Sequence, residues 1–375
     1  MSRVFSEHLE YLTLPGRRDY FSQAISNVLR PGDTVADLGC GFGILGMLCL
    51  EAGASHVWGI DASDAIEIAR ESLRRAGLAQ HYTFIRGSTF EIDLPEKVDV
   101  LVCDHVGYFG FDYGIVGMLA DARRRFLKQG GRIVPRRIRL IMAGVASPAC
   151  RTKADAWSGC AVPEEYRWLQ DTAVNTKYPV SLNDTEICTQ PVILGEIDLT
   201  RDNPESLAFE ISLEALRNDR CDGLVGWFEC ELAEGVWMTN SPLSQDSIGR
   251  SQAFLPAREP FDLKTGDQVL VTIRFRFDPE LIAWTIKTPG NAPRQKLSTW
   301  ASTLLTAADL SVPSPRPVSL NNVGSAKQAL LALVDSKRSA QEIEDFLIHR
   351  DPPLFPTAAE TRRFVRRELA RDTQT

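Results

Sequence analysis

Two acids and a run of glycines set the first chemical constraint in this chain. Val35-Ala36-Asp37-Leu38-Gly39-Cys40-Gly41-Phe42-Gly43 carries an apolar, strand-like segment into a glycine-rich turn, after which a helical pattern begins at Ile44. Glycines permit a tight turn and let a ligand lie close to the backbone. A helix N-terminus just beyond such a turn suits an anionic group. The spacing is G-x-G-x-G rather than the G-x-G-x-x-G of a dinucleotide fingerprint, although glycines alone do not separate those ligand classes. Asp61 closes the next strand-like run, Trp58-Gly59-Ile60-Asp61, where a carboxylate can accept hydrogen bonds from both hydroxyls of a ribose. Arg86-Gly87-Ser88-Thr89-Phe90 closes a third, with a backbone edge and an aromatic able to hold adenine. Capping the turns that follow is the competing use of Asp37 and Asp61. Both acids in this order favour a ligand.

A second set of reactive side chains lies between residues 104 and 113, where Asp104, His105, Tyr108, Asp112 and Tyr113 share one short segment. A histidine can take a proton near neutral pH, and a carboxylate can attract a cationic group. On an extended segment neighbouring side chains point opposite ways, so Asp104 and His105 are not expected to face one acceptor together. Asp104 is the better placed of the two. Tyr108 can equally serve packing, with its hydroxyl satisfied elsewhere.

The elements that must position these groups alternate in type over the first third of the chain. Strands are expected at Thr34–Leu38, His56–Ile60, Tyr82–Arg86, Val98–Cys103 and Gly131–Val134, with helices at Ile44–Ala52, Asp64–Ala76 and Ile115–Phe126. That alternation predicts an α/β fold with a doubly wound, mostly parallel Rossmann-like sheet, preceded by helical pattern over residues 1–30. After Pro135 the texture becomes strand-rich, at Arg136–Gly144, Val192–Asp198, Ser206–Leu213, Gly223–Leu232 and Gln268–Phe277. An antiparallel β-barrel-like domain is expected there, interrupted by a Trp-bearing helical segment, Ala154–Lys177. The domain reading is therefore 1–140, 141–288, a Pro/Ser/Thr/Asn-rich linker at 289–322 with a short helix near Trp300–Ala308, and a helical module at 323–375.

Composition narrows the class further. The 375 residues are 44% hydrophobic and 24% charged, ordinary for a globular chain. A net charge of −7 gives no basic footprint, so a nucleic-acid partner is not expected. No stretch has the apolar length of a membrane span, and the N-terminus lacks a charged start with an apolar core, which points to a cytoplasmic protein without a membrane partner. The eight cysteines are scattered, with neither metal-ligand spacing nor a disulfide framework. No metal is expected.

Asp37-x-Gly39-x-Gly41-x-Gly43 is similar to the cofactor motif of class I S-adenosylmethionine (SAM)-dependent methyltransferases, and the order continues beyond it. The run Val98–Phe109 resembles the protein arginine methyltransferase loop ending in Glu-Trp-Met-Gly-Tyr, and Phe126–Pro135 that family's L-x-x-G-G-x-I-x-P strand. Gly226-Trp227-Phe228-Glu229, Asn240-Ser241-Pro242 and Leu263-Lys264-Thr265-Gly266-Asp267 are similar to its barrel motifs, so the resemblance covers residues 8–288. It implies SAM as cofactor, with Arg17 on the SAM carboxylate, Asp61 on the ribose, Thr89 and Phe90 at the adenine, and residues 154–177 as an arm forming a homodimer. The family orients its guanidinium with two loop glutamates. Here the first position is Asp104, the second falls on Tyr113, and Asp112 lies one residue early, where a slip of the loop would deliver it. The family's Thr-His-Trp turn reads Ser247-Ile248-Gly249.

These departures shift the expected acceptor to a nitrogen or oxygen of a small molecule or peptide. The alternatives are a protein arginine methyltransferase with an altered acid pair and a non-catalytic SAM-binding interaction protein. The module's Ala329–Ile343 resembles small PqqD-like winged-helix modules, which bind leader peptides; a helical cap is the alternative. Arg362, Arg363, Arg366 and Arg367 form a basic stripe there, read as a solvated helix face.

Overall fold

The computed structural model describes residues 2–290, 292–304, 317 and 319–373. The chain divides into two compact units, residues 1–304 and 305–375. The first begins with helices α1 (Ser2–Thr13) and α2 (Arg17–Val28) and continues through β1 (Thr34–Leu38), α3 (Ile44–Glu51), β2 (His56–Asp61), α4 (Ala65–Arg75) and β3 (Tyr82–Arg86). It then runs through β4 (Val98–Cys103), α5 (Ile115–Arg125) and β5 (Leu127–Val134). These five strands pair in parallel in the order β3-β2-β1-β4-β5.

Val35, Ala36 and Leu38 are fully buried, as are Leu101 and Val102, because helices cover both faces of a doubly wound sheet. That is why these strands read as unbroken apolar runs. On α4 the buried residues are Ala65, Ile66, Ala69 and Leu73, one stripe at helical spacing. The strand order reverses between β1 and β4. Ligands of open α/β sheets bind beyond the carboxyl ends of the strands at such a switch point, which is where Asp37 and Asp104 emerge.

The second half of this unit is built from β6 (Arg137–Val145), helices α6 (Pro148–Asp155) and α7 (Leu169–Val174), β7 (Tyr178–Val180), β8 (Val192–Asp198), β9 (Ser206–Glu214) and β10 (Asp219–Ala233). It is completed by β11 (Val236–Thr239), β12 (Gln252–Leu263), β13 (Gln268–Phe277), β14 (Glu280–Lys287) and β15 (Gln295–Ser298). One antiparallel sheet runs β7-β12-β10-β6-β8, with β11 on β10; the other runs β15-β14-β13-β9. In β13, Val269, Val271, Ile273, Phe275 and Phe277 are buried in strict alternation, the signature of a strand with one face on the core.

Strands β7, β11, β12, β14 and β15 were not expected from the sequence. In β12, Pro256 and Pro260 argue against a strand, yet Pro256 lies opposite Gly223 and Pro260 falls in the bulged stretch between two registers, where a missing N–H is tolerated. Strand β15 pairs with β14 inside the stretch read as linker. The short helix expected near Trp300 is a single 3-10 turn, Thr299–Ser302, and residues 305–308 of it lie outside the described residues.

The second unit carries α8 (Asn322–Leu331), α9 (Ala340–Ile348) and α10 (Ala358–Asp372) around its own core of Ala326, Leu330, Ile343, Leu347, Phe364, Val365 and Leu369. Its described residues form helices and no strand. The basic stripe on α10 is largely neutralised: Arg362 and Arg366 both pair with the buried Glu344, and Arg367 with Glu368.

Candidate functional site

A cavity of about 310 Å³ opens where β1 and β4 end, at the small end of the range for ligand pockets. Its walls come from the glycine turn (Asp37, Gly39, Cys40, Gly41, Phe42), the end of β2 (Asp61, Ser63), the loop after β4 (Asp104, His105, Tyr113) and the first two helices (His8, Tyr11, Leu12, Arg17). Gly39 and Gly41 both take positive φ. A Cβ on Gly39 would stand 2.1 Å from His105 Nε2, and one on Gly41 2.5 Å from His8 Cε1. Only glycine allows the turn and this close approach of other groups to its backbone.

Each carboxylate has a distinct task. Asp37 accepts hydrogen bonds from Gly46 N (2.9 Å) and the Tyr82 hydroxyl (3.3 Å), tying the end of β1 to the first turn of α3. Burial pushes its carboxyl up to about 7 against the opposing pull of those two donors. Asp61 accepts from Gly41 N through one oxygen (2.8 Å) and from Ser63 N and Oγ through the other (2.8 and 2.6 Å). It therefore shapes the turn as well as facing the cavity. The exposed Ser63 hydroxyl can rotate away to leave room for a ribose hydroxyl. Gly43 caps α3 and packs against α4 at Leu73 and Ala69, outside the cavity lining.

Arg17 is buried, with one guanidinium nitrogen donating to the Tyr11 carbonyl (2.9 Å) and another paired with Asp104. Its Nε has no hydrogen-bond partner. A buried, unpaired charged donor is costly, and an anionic group entering the cavity would satisfy it. Burial lowers its pKa to about 10, leaving it cationic at neutral pH. With the glycine turn and Asp61, this donor makes the cavity fit SAM: Arg17 would hold the carboxylate and Asp61 the ribose.

The loop after β4 is held from several sides. Phe109 and Phe111 are fully buried against Phe275 on β13, with ring centroids 5.4 and 5.0 Å apart. Asn240 donates to the Tyr108 carbonyl (2.9 Å) and accepts from Phe228 N (2.9 Å). Asp104 and His105 both line the cavity, contrary to the expectation that they diverge. The strand ends at Cys103, so the alternation of an extended segment no longer applies to them. His105 Nδ1 lies 3.4 Å from the Tyr113 carbonyl, and burial lowers its pKa, favouring the neutral ring.

Asp112 does not reach the cavity. Its carboxylate is 2% exposed, accepts from Tyr108 N (3.0 Å) and Phe109 N (2.6 Å), and pairs with Lys177 at 2.5 Å. Lys177 also pairs with Glu280. Asp112 thus closes the loop upon itself, and the one-residue slip that would deliver it to the cavity is not made. Tyr113, with φ of 60°, presents its half-exposed ring to the cavity in the second acid's place. Among the described residues, Asp104 is the one loop carboxylate in the lining. Thr89 and Phe90 also fall outside it: Thr89 is buried with its carbonyl held by Arg125, and Phe90 faces solvent.

The sequence reading missed His8, Tyr11 and Leu12, whose i, i+3, i+4 spacing puts them on one face of α1. The signal was present, but a helix face carries no mark of what covers it.

Residues 35–131 match a family model described as a methyltransferase domain, and residues 142–281 one described as the arginine methyltransferase oligomerization subdomain. Protein arginine N-methyltransferase 1 of Schizosaccharomyces pombe is 28% identical over 250 residues, covering 64% of this chain and 72% of that protein. Probable protein arginine N-methyltransferase 6 of Arabidopsis thaliana is 27% identical over 262 residues, 67% of this chain and 60% of its own length. The chain superposes on the Trypanosoma brucei PRMT1 enzyme-prozyme heterotetrameric complex with AdoHcy with a TM-score of 0.70 and 21% identity. That match covers 78% of this chain and 98% of the other, and at this identity it speaks to the fold.

Proposed function

We propose, from the premise that this chain is a class I SAM-dependent methyltransferase resembling the protein arginine methyltransferases, that it methylates a side-chain nitrogen of a protein or peptide. The observation that carries this reading is the convergence of Arg17, Asp61 and Asp104 on one cavity at the β1–β4 switch point. The relatives named above support a protein acceptor over the small molecule that the altered loop suggested. SAM supplies an electrophilic methyl group on a sulfonium. The chain's part is to place the acceptor nitrogen in line with it, and placement is where most of the rate arises.

Asp104 attracts a cationic side chain and is itself oriented by Arg17. The His105 ring beside it has Nδ1 toward the Tyr113 carbonyl and Nε2 against Gly39, so it braces the loop on the glycine turn, and the proton that the acceptor nitrogen releases can pass to water. A single carboxylate does not fix the plane of a guanidinium as a two-carboxylate fork does. Arginine in Gly-Arg peptides should therefore be a slow substrate, methylated well below the rate of the preferred acceptor. Asp112 supports the loop from behind through Tyr108, Phe109 and Lys177 rather than meeting the acceptor.

Incubation with labelled SAM and host extract, then mass spectrometry of the labelled fraction, tests the reading. Label on protein side-chain nitrogens supports it. Label confined to small molecules overturns the acceptor class. Binding of S-adenosylhomocysteine without transfer to any acceptor would select a non-catalytic SAM-binding role instead.

A further inference from the structure

The turn at Ser247-Ile248-Gly249 leads into a buried arginine, Arg250. Arg250 stands just before β12 and reaches in two directions. Its Nε donates to the Gly107 carbonyl (3.1 Å), in the middle of the loop that carries Asp104. Its other two nitrogens donate to Glu10 Oε1 (3.1 Å) and the Tyr11 hydroxyl (2.7 Å), both on α1. The guanidinium also lies over the Tyr11 ring, 4.2 Å from its centroid, while Arg17 lies 5.1 Å from the same ring.

The rest of this turn also meets the first two helices. The Tyr20 hydroxyl donates to the Asp246 carbonyl (3.3 Å), and a Cβ on Gly249 would touch Pro15 at 3.7 Å. Helix α1 contributes His8, Tyr11 and Leu12 to the cavity wall, so whatever fixes α1 fixes that wall. Helix α1 has 12 residues, short enough to be marginal without tertiary contacts. A planar fork of five donors can hold a carbonyl, a carboxylate and a hydroxyl at once, whereas an ammonium cannot span them.

We propose that Arg250 is a positioning residue that latches α1 over the cofactor cavity and ties it to the acceptor-bearing loop, so that cofactor retention and loop placement depend on one side chain. The proposal rests on the cavity being the SAM site. Arg250 touches neither cofactor nor acceptor in this arrangement; it acts through Tyr11, Glu10 and Gly107.

The test uses the full chain with S-adenosylhomocysteine as the probe, measuring Kd by calorimetry and cleavage within α1 by limited proteolysis. Arg250→Met is expected to raise Kd by about tenfold or more, the scale of one lost charged hydrogen bond. Helix α1 should then be cleaved even at saturating ligand, whereas in the wild type ligand protects it. Arg250→Lys should recover part of the affinity through Glu10 but not the protection. Because a buried arginine variant can fail to fold, Glu10→Gln serves as the second probe: that carboxylate is half exposed, and its loss should raise Kd severalfold with the melting temperature unchanged. If Glu10→Gln, and Arg250→Met where it folds, bind and protect like the wild type, the latch is wrong. If the wild type itself does not bind S-adenosylhomocysteine, the cofactor reading has failed instead.

Discussion

Asp37 holds its carboxyl where water does not reach it, and the consequence is a pH dependence with a definite sign. Its pKa is about 7 in the folded chain, raised by burial, against about 3.9 for an unfolded aspartate. Between those values the folded state binds more protons than the unfolded state, so this group's contribution to stability falls as pH rises through that window. The melting temperature of the unliganded protein should carry a downward component between pH 4 and 7, and Asp37→Asn should remove it while keeping an acceptor for Gly46 N. A variant whose melting profile over that range parallels the wild type would show that Asp37 ionises normally. Tyr113 poses the complementary question at the acceptor side. Tyr113→Glu would return a second carboxylate to the cavity wall and should raise methylation of a Gly-Arg peptide by about tenfold or more, since fixing the guanidinium plane is what the single Asp104 lacks. An unchanged rate, measured by mass spectrometry of the peptide, would mean that the plane is set elsewhere. The turn of Asp37, Gly39 and Gly41 was legible in sequence because a glycine turn between strand and helix is local chemistry, whereas Thr89 and Phe90, read as an adenine contact, fall outside the cavity lining. Asp112 was not: its fate depends on Lys177, 65 residues away, and no pattern in the loop announces that partner.

Lys177 shows how an element's end can govern a loop it does not adjoin in sequence. It follows α7, precedes β7, and lies between Asp112 of the loop and Glu280 at the start of β14, with Tyr108 and Phe111 rings against it. Burial works against its charge, but the two carboxylates prevail and hold its pKa above the ordinary lysine value. Lys177→Met would leave Asp112 buried without a counter-charge, a loss of about 3–5 kcal/mol for breaking a buried pair. Thermal or urea unfolding should show that loss, and adding Asp112→Asn should recover part of it, since the stranded charge is then gone. A single variant as stable as the wild type would refute a structural role for the triad. The same dependence on distant partners explains which strands the sequence concealed. The parallel strands announce themselves by continuous apolar runs, as β1 does. By contrast β12 carries Pro256, Arg258, Glu259 and Pro260, and pairs with β10 on either side of its own bulge, the residues between Pro256 and Phe261 facing the short step from Gly223 to Cys221.

For the whole molecule, the arm between β6 and β7 poses the remaining question. The inner faces of α6 and α7 are satisfied: Cys150, Ala154, Ala173 and Val174 are buried, and Gln170 donates to the Ala154 carbonyl at 2.9 Å. Its outer face carries Trp157, Tyr166 and Trp168 at 39%, 55% and 62% exposure. Aromatic side chains gathered on one short arm are what an interface core uses, and they lie within the stretch that matches an oligomerization subdomain. We propose that the arm packs on a second copy of this chain in a two-fold arrangement, where each arm meets the same surface of its partner. Light scattering should then give twice the 41.7 kDa chain mass at micromolar concentration. Replacing both exposed tryptophans, Trp157→Glu with Trp168→Glu, should shift the mass toward one chain, because each charge would have to be buried unpaired in the interface. The far-ultraviolet spectrum of that variant should stay unchanged, since neither ring belongs to the buried core. A wild type that scatters as a single chain across a wide concentration range would defeat the dimer outright, and a tryptophan variant that remains double would move the interface away from the arm.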